Sequence, residues 1–447
     1  MTSLMRIRTL ALLLWGSILL LSLSALPCSA QWPTPPTYIL RLKHLLAFAG
    51  TDAMQVSHWV DSVYQSLDQR GRVGQLIMPI IYPKPEDTEV LLGRLKREQW
   101  GGILFQKGLL ADQRRLTIRL QQASQVPLLI ALDGEWGLNM RLKDAPRYPR
   151  NLHLSKKRNF VFFYNYGREI ARQCRLMGIH INFAPVLDVN SNPKNPVIGS
   201  RSFGSSPQLV AGLGRAYALG LETSGVLSVA KHFPGHGDTS EDSHKTLPTV
   251  TASRERMQEI ELAPFRTYIE ERFGGIMTAH LRVPAYDPSG RPASLSAPIT
   301  TELLRKEMDF DGLVFTDALE MKGAQTSGVA SVAVAALQAG NDILLGPSHP
   351  TQALDEIIAA LKSGELTEAM IEAKCRRVLA FKYALIVARE DLGVAPEKVK
   401  EAIWTREEAK LRAYLEEVAG SKETAVDPTA HTPAMKSQPS RRKSTKR

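Results

Sequence analysis

The run VLSVA (Val226–Ala230), continued by KHFPGHGDTSEDSHKTLP (Lys231–Pro248), decides how this chain is read. Its first part is an apolar segment of strand length, short enough to be buried on both faces. The continuation carries His232, His236 and His244, Lys231 and Lys245, and the acids Asp238, Glu241 and Asp242. Two glycines and two prolines interrupt it, and both residue types break regular elements. A loop dense in titratable groups behind a buried strand is where parallel α/β enzymes keep their chemistry.

Outward from this stretch one theme repeats: a short apolar run, then an amphipathic helical pattern. Strands are expected at Gln75–Ile81, Gly102–Phe105, Leu128–Leu132, His180–Ala184, Val226–Ala230, Gly275–Thr278, Leu313–Phe315 and Asp342–Leu345. A leading helix is expected at His58–Arg70. Others follow at Asp87–Glu98, Ala111–Gln122, Arg158–Met177, Pro207–Thr223, Glu255–Arg272, Thr300–Glu307, Val329–Ala339 and Pro350–Ser363. A further helix, Glu368–Ala388, starts behind Thr367 as its N-cap. Such alternation implies an α/β fold with a parallel sheet. Eight units over roughly 300 residues imply a closed (β/α)8 barrel of the TIM type, a single catalytic domain. A doubly wound open sheet is the structural alternative. No Gly-x-Gly-x-x-Gly follows the first strand, which weighs against its dinucleotide-binding version.

The chain has 447 residues, 44% hydrophobic and 23% charged, an ordinary globular composition. At the N-terminus Arg6 and Arg8 precede the apolar Leu10–Leu26, and Cys28-Ser29-Ala30 offers small residues for cleavage before Gln31. That is a secretory signal pattern, so the protein is expected to be exported, to the periplasm or envelope. An uncleaved membrane anchor and a lipidated Cys28 are the competing readings. Beyond the signal only Cys174 and Cys375 remain, so a large core rather than a disulfide framework must supply stability. A single bridge between them stays open.

The net charge of +11 divides into +2 on residues 1–30, +5 on residues 421–447 and +4 on the body. The tail is rich in Pro, Ser, Thr and basic residues without an aromatic, and reads as disordered. Its basic end suits weak contact with an anionic envelope polymer or lipid. Nothing points to nucleic acid. The expected organisation is a signal peptide (1–30), a lead-in (31–57), the barrel (58–395), a C-terminal helical extension (396–420, with a helix at Glu397–Leu415) and the basic tail (421–447).

Polar residues sort by strand. Asp133-Gly134-Glu135 follows the third strand, Asp188 and Asn190 the fourth, Lys231-His232 the fifth, His280 the sixth and Asp317 the seventh. In a barrel all of these crowd around one mouth. A mouth of Asp, His, Lys and Arg without a phosphate-cradling glycine loop suits a polar substrate with many hydroxyls. Glycoside hydrolysis needs a nucleophile or base and a proton donor at the glycosidic oxygen. Asp317 ends an apolar strand between the small Thr316 and Ala318, which suits a rigid nucleophile; the competing role is an N-cap to a helix beginning near Ala318. Asp242-Ser243-His244 offers a carboxylate two residues from an imidazole, an arrangement that can fix a tautomer and raise basicity. Its competing role is a hydrogen bond that braces the loop.

The sequence resembles bacterial β-N-acetylhexosaminidases of glycoside hydrolase family 3, in order, from about Trp59 to about Ile386. The resemblance rests on LDGEWGLNMRL (132–142), NFAPVLDVNSNP (182–193), VIGSRSFG (197–204), AKHFPGHGDTSEDSHKTLP (230–248), IMTAHLRVPAYD (276–287) and VFTDALEMKGA (314–324). It implies that Asp317 is the nucleophile and that His244, paired with Asp242, is the acid/base. Asp133, Arg141, Arg201, Lys231 and His232 are implied to hold the sugar. His236, Asp238 and Thr239 read as shaping the loop. The chain departs from the pattern at Trp136-Gly137, where many relatives have Gly-Gly, and at Ser200, where others often carry a different polar residue.

The expected activity is therefore an exported, retaining exo-β-N-acetylglucosaminidase acting on glycans such as peptidoglycan fragments, muropeptides included. No cofactor and no metal are expected. A β-glucosidase or other β-glycosidase of the same family is the nearest alternative. Such enzymes commonly complete the site with a second α/β domain, and here 61 residues follow Ile386. A metal-dependent hydrolase using His232, His236, Asp238 and His244 is the alternative of another class; it leaves Asp317 and Arg201 without roles. A non-catalytic wall-binding barrel would fit only if Asp317 or His244 were missing.

Overall fold

The expected first strand is broken at Pro79, which has no N–H to give to a ladder. Its halves, β1 (Ile77–Met78) and β2 (Ile80–Ile81), pair with different neighbours. The computed structural model describes residues 36–404, apart from 242–245 and 326–327, together with Ala413. The remaining strands are β3 (Gly102–Phe105), β4 (Leu129–Leu132), β5 (Ile181–Asn182), β6 (Leu227–Phe233), β7 (Gly275–Thr278), β8 (Leu313–Thr316) and β9 (Leu344–Leu345). Strands β2 to β8 form one parallel sheet in chain order, and β1 pairs with β9, also in parallel. Phe315 bridges to Ile343, and the Thr316 N–H donates to the Ile343 carbonyl at 3.0 Å. With β1 and β2 counted as one strand, these links close an eight-stranded (β/α)8 barrel.

Every residue of β3, β4, β6, β7 and β8 is buried, as expected of a parallel sheet covered on both faces. Inside, the rings of Phe183 and Phe315 meet edge to face, 5.3 Å apart. The helices lie close to their expected positions, and Thr367 does cap Glu368–Lys382 by accepting from the Met370 N–H. Two expectations need correction. Glu255–Arg272 is two helices, Arg254–Glu259 and Ala263–Glu270, with Pro264 opening the second. The leading helix is likewise two, Ala53–Ser66 and Gln69–Gly74, each started by an aspartate cap (Asp52, Asp68). Of the expected helix Glu397–Leu415, Val399–Ile403 is helical, and beyond Trp404 all but Ala413 lies outside the described residues.

The lead-in contributes to the barrel's N-terminal face. Arg41 is fully buried, with Nε on Asp311 Oδ1 at 2.6 Å and Nη1 on the Ile269 carbonyl at 2.6 Å. A third bond reaches the Asp309 carbonyl. These partners precede β7 and β8, so the contact seals the end of the barrel opposite the strand C-termini. Cys174 and Cys375 are both free and buried. Burial pushes the Cys375 thiol up to about 12. Among the described residues no helix is long and apolar enough to cross a membrane. The expected signal segment and basic tail lie outside the described residues.

Candidate active site

Strand β6 runs on through Phe233, so Lys231 and His232, expected at the head of a loop, are strand residues. Consecutive residues of a regular strand point to opposite faces. Here the register against β7 shifts between Ala230 and Phe233, and such an irregularity re-aims side chains. Both side chains consequently serve the strand C-termini, Lys231 in one polar cluster and His232 in the group beside it.

Lys231 Nζ lies 2.8 Å from Asp133 Oδ1 and 2.8 Å from Glu135 Oε1. Arg141 Nη2 reaches Asp133 Oδ2 at 2.6 Å. Arg201 takes Glu135 in a two-pronged pair, Nε to Oε2 at 2.9 Å and Nη2 to Oε1 at 2.7 Å. Burial by itself would raise the pKa of Asp133, but Lys231 and Arg141 outweigh it and hold the carboxyl well below its usual range. Glu135, against burial, is held at about 2 by Arg201 and Lys231. The five charges are thereby fixed in place and ionised. Each Asp133 oxygen keeps a further lone pair for a hydroxyl, while the guanidiniums can only donate.

His232 belongs to a second, adjoining group. Its Nδ1 lies 2.6 Å from Asp188 Oδ2, and Arg201 Nη2 lies 3.2 Å from its Nε2. A guanidinium N–H only donates, so Nε2 accepts and the proton sits on Nδ1, facing Asp188. Asp188 Oδ1 also accepts the His236 N–H at 2.6 Å. Burial opposes ionisation of Asp188, but the two histidines outweigh it and its pKa is lowered. His236 Nδ1 lies 2.8 Å from Thr239 Oγ1, and Asn195 Nδ2 donates to the His236 carbonyl at 2.8 Å. His236 and Thr239 therefore brace the loop, as expected.

Asp317 stands directly beyond β8. Its N–H donates to the Thr278 carbonyl at 2.8 Å, and Oδ1 accepts the Ala318 N–H at 2.8 Å. The next helical turn is Lys322–Ala324, so Asp317 does not cap a helix at Ala318. Burial pushes its pKa up, but His232, His280, the Ala318 amide and Lys231 more than reverse this, leaving it lowered. His280 Nε2 donates to the Ala318 carbonyl at 3.0 Å, which steadies the turn that carries Asp317.

Asp133, Arg141, Arg201, Lys231 and His232 are thus gathered into one connected network, with Asp317 under the influence of Lys231 and His232. Asp242 and His244 lie outside the described residues. The flanks of their loop are held on both sides. Asn192 Nδ2 reaches the carbonyls of Asp238 and Thr239 at 3.4 and 3.3 Å, and Thr246 Oγ1 donates to Glu241 Oε2 at 3.1 Å. Two residues acquire a role that the sequence did not assign: Glu135, between Lys231 and Arg201, and Asp188, behind His232. Their positions just after strands were the available signal.

The family model for the N-terminal domain of glycosyl hydrolase family 3 matches residues 68–381. Beta-hexosaminidase A of Pseudoalteromonas piscicida is 35% identical over 344 residues, covering 70% of this chain and 58% of that protein. The chain therefore spans less than two thirds of that relative's length. The beta-hexosaminidase of Methylococcus capsulatus is 34% identical over 299 residues, 65% of this chain and 88% of its own length. Among solved structures, a glycoside hydrolase family 3 β-N-acetylglucosaminidase from Paenibacillus sp. str. FPU-7 superposes with a TM-score of 0.72 at 36% identity, covering 79% of this chain and 69% of that one. A barrel with acids, lysine, arginine and histidine at its C-terminal mouth agrees with all three: the chain belongs to glycosyl hydrolase family 3.

Proposed function

We propose that the protein is an exported, retaining exo-β-N-acetylglucosaminidase that removes terminal β-linked N-acetylhexosamine from glycans such as peptidoglycan fragments. The observation that carries this reading is Asp317, a carboxylate kept ionised at a strand end beside the cluster of Asp133, Arg141, Arg201, Lys231 and His232. The names of the relatives support the sugar, and the leader pattern at residues 1–30 supports export.

In this scheme Asp317 attacks the anomeric carbon, and the bond to the aglycone oxygen breaks as that oxygen takes a proton from His244, with Asp242 orienting the imidazole. His244 then takes a proton from water, the water oxygen attacks the anomeric carbon, and Asp317 leaves as the carboxylate. Asp133, Arg141, Arg201, Lys231 and His232 hold the terminal sugar. Two inversions at one carbon release the β-anomer first. Proton NMR of early product on a panel of β-linked GlcNAc, GalNAc and glucose substrates, muropeptide included, tests both sugar and stereochemistry. First release of the α-anomer removes the two-step scheme, and preferred turnover of the glucoside moves the reading to β-glucosidase.

A further inference from the structure

Trp136 and Ser200, which read in the sequence as departures from the family pattern, are joined by one residue. Arg150 lays its guanidinium 4.6 Å from the centre of the Trp136 ring, and its Nη1 donates to Ser200 Oγ at 3.1 Å. Trp136 follows Glu135 and Ser200 precedes Arg201, so this trio sits one residue outward from the Glu135–Arg201 ion pair. The next residue, Asn151, donates to the Arg201 carbonyl at 2.9 Å and ties the segment to the same loop.

The segment is also the most basic of the barrel. Residues 141–158, RLKDAPRYPRNLHLSKKR, carry seven cations against Asp144, more than the net +4 of the whole body. It runs along the C-terminal rim, where the Lys143 N–H donates to the Gly108 carbonyl at 3.1 Å beyond β3. Arg141 is neutralised by Asp133. Arg150 is exposed and makes no ion pair among the described residues. Its two partners, an indole face and a hydroxyl, fix its position without cancelling its charge. A guanidinium held this way has already lost rotamer freedom, so less is lost when it grips a carboxylate in a fork.

We propose that Trp136, Arg150 and Ser200 form an aglycone subsite that selects leaving groups bearing a carboxylate. The inference rests on the glycosidase reading above, in which the terminal sugar fills the inner cluster and the leaving group extends toward the rim. A family site with glycine at 136 would lack the platform that holds the arginine. An acid introduced at 200 in this chain would neutralise it.

The test compares para-nitrophenyl β-N-acetylglucosaminide with its analogue carrying a carboxylate ortho to the nitro group. The full-length protein should favour the carboxylated substrate in kcat/KM by about threefold to tenfold at low ionic strength, and the preference should fade in about 0.5 M salt. Arg150→Gln and Ser200→Asp should each bring the ratio close to one; a ratio cancels any general loss of activity. A ratio that is insensitive to salt and equal in all three proteins overturns the subsite. Calorimetry with the free carboxylated nitrophenol separates the two readings. Arg150-dependent binding without turnover of either glycoside would keep the subsite and discard the sugar assignment, whereas turnover of both with no Arg150-dependent binding would do the reverse.

Discussion

Arg201 and Glu135 meet through two parallel hydrogen bonds of 2.9 and 2.7 Å, and the same guanidinium stands 3.2 Å from His232 Nε2. One side chain thereby couples the Asp133–Glu135–Lys231 cluster to the His232–Asp188 pair. The geometry of each half depends on the other.

Glu135→Gln removes the charge that both Arg201 and Lys231 face. Glu135 is almost fully buried, so Lys231 is left with Asp133, Arg201 with only the fields of Asp188 and Asp133, and one amide donor is turned toward them. Breaking a buried pair from one side costs about 3 kcal/mol, and a lower melting temperature by scanning calorimetry is expected. Loss of alignment should also reduce kcat/KM by about tenfold or more, with KM carrying much of it. An unchanged melting temperature would show that the pair does not organise the mouth.

Asp188→Asn keeps the shape but alters the proton. The amide oxygen can still accept from the His236 N–H, which turns the amide nitrogen toward His232 Nδ1. The imidazole must then carry its proton on Nε2, against the Arg201 Nη2 donor. A roughly 100-fold fall in kcat/KM is expected, by analogy with other histidines forced into the wrong tautomer. Nitrogen chemical shifts of His232 report the tautomer directly, and retention of the Nδ1–H form would remove this account.

Much of this was legible in the sequence, for a physical reason. Strands buried on both faces are mostly apolar, so a polar residue beyond the same end of each, such as Asp133, Asp188 and Asp317, stands out. Lys231 and His232 read as loop residues because charged residues rarely occupy a buried strand; only their partners Asp133, Glu135 and Asp188 make that tolerable. Arg41 was hidden for a related reason. Its partners lie at Ile269, Asp309 and Asp311, and no local pattern signals contacts that distant. The break at Ile260 that divides the expected Glu255–Arg272 helix likewise has no sequence punctuation other than Pro264.

Glu222 offers a test of the core rather than the site. It accepts from Ser228 Oγ at 2.7 Å and the Gly274 N–H at 3.0 Å, and no cation pairs with it among the described residues. Burial pushes its pKa up from the ordinary 4.5 to about 8. Between these values the folded state keeps a proton that the unfolded chain has released. Stability from this group is therefore full below about pH 4.5 and is lost as pH rises through about 8, by at most about 1.4 kcal/mol per unit. Glu222→Gln can accept the same two bonds and cannot ionise. Its melting temperature relative to the natural protein should climb steadily from pH 5 to pH 8.5. Lys374 and Lys382, pushed down by burial to about 7, act in the opposite sense in both proteins and cancel in the difference. A difference independent of pH would mean that Glu222 ionises normally.

The proposed division of labour between Asp317 and His244 gives the sharpest prediction. Asp317→Ala should abolish turnover of every substrate, since no glycosyl-enzyme can form. His244→Ala should be mild on a nitrophenyl glycoside, whose leaving group departs without a proton, and far more damaging on a sugar aglycone that needs one. Azide attacks the intermediate without a general base. It should therefore partly restore the second step in His244→Ala and yield a β-glycosyl azide. Asp242→Ala should be a weakened version of the same variant, because the carboxylate only orients and polarises the ring. Glu241 and Asp238 are the competing donors. Glu241 already accepts from Thr246, and the Asp238 carboxylate is approached by Ser191 Oγ at 3.4 Å, so both have bracing partners that a proton donor would not need. If Glu241→Ala or Asp238→Ala showed the dependence on leaving group and His244→Ala did not, the donor would be a carboxylate and the imidazole mechanism would be wrong.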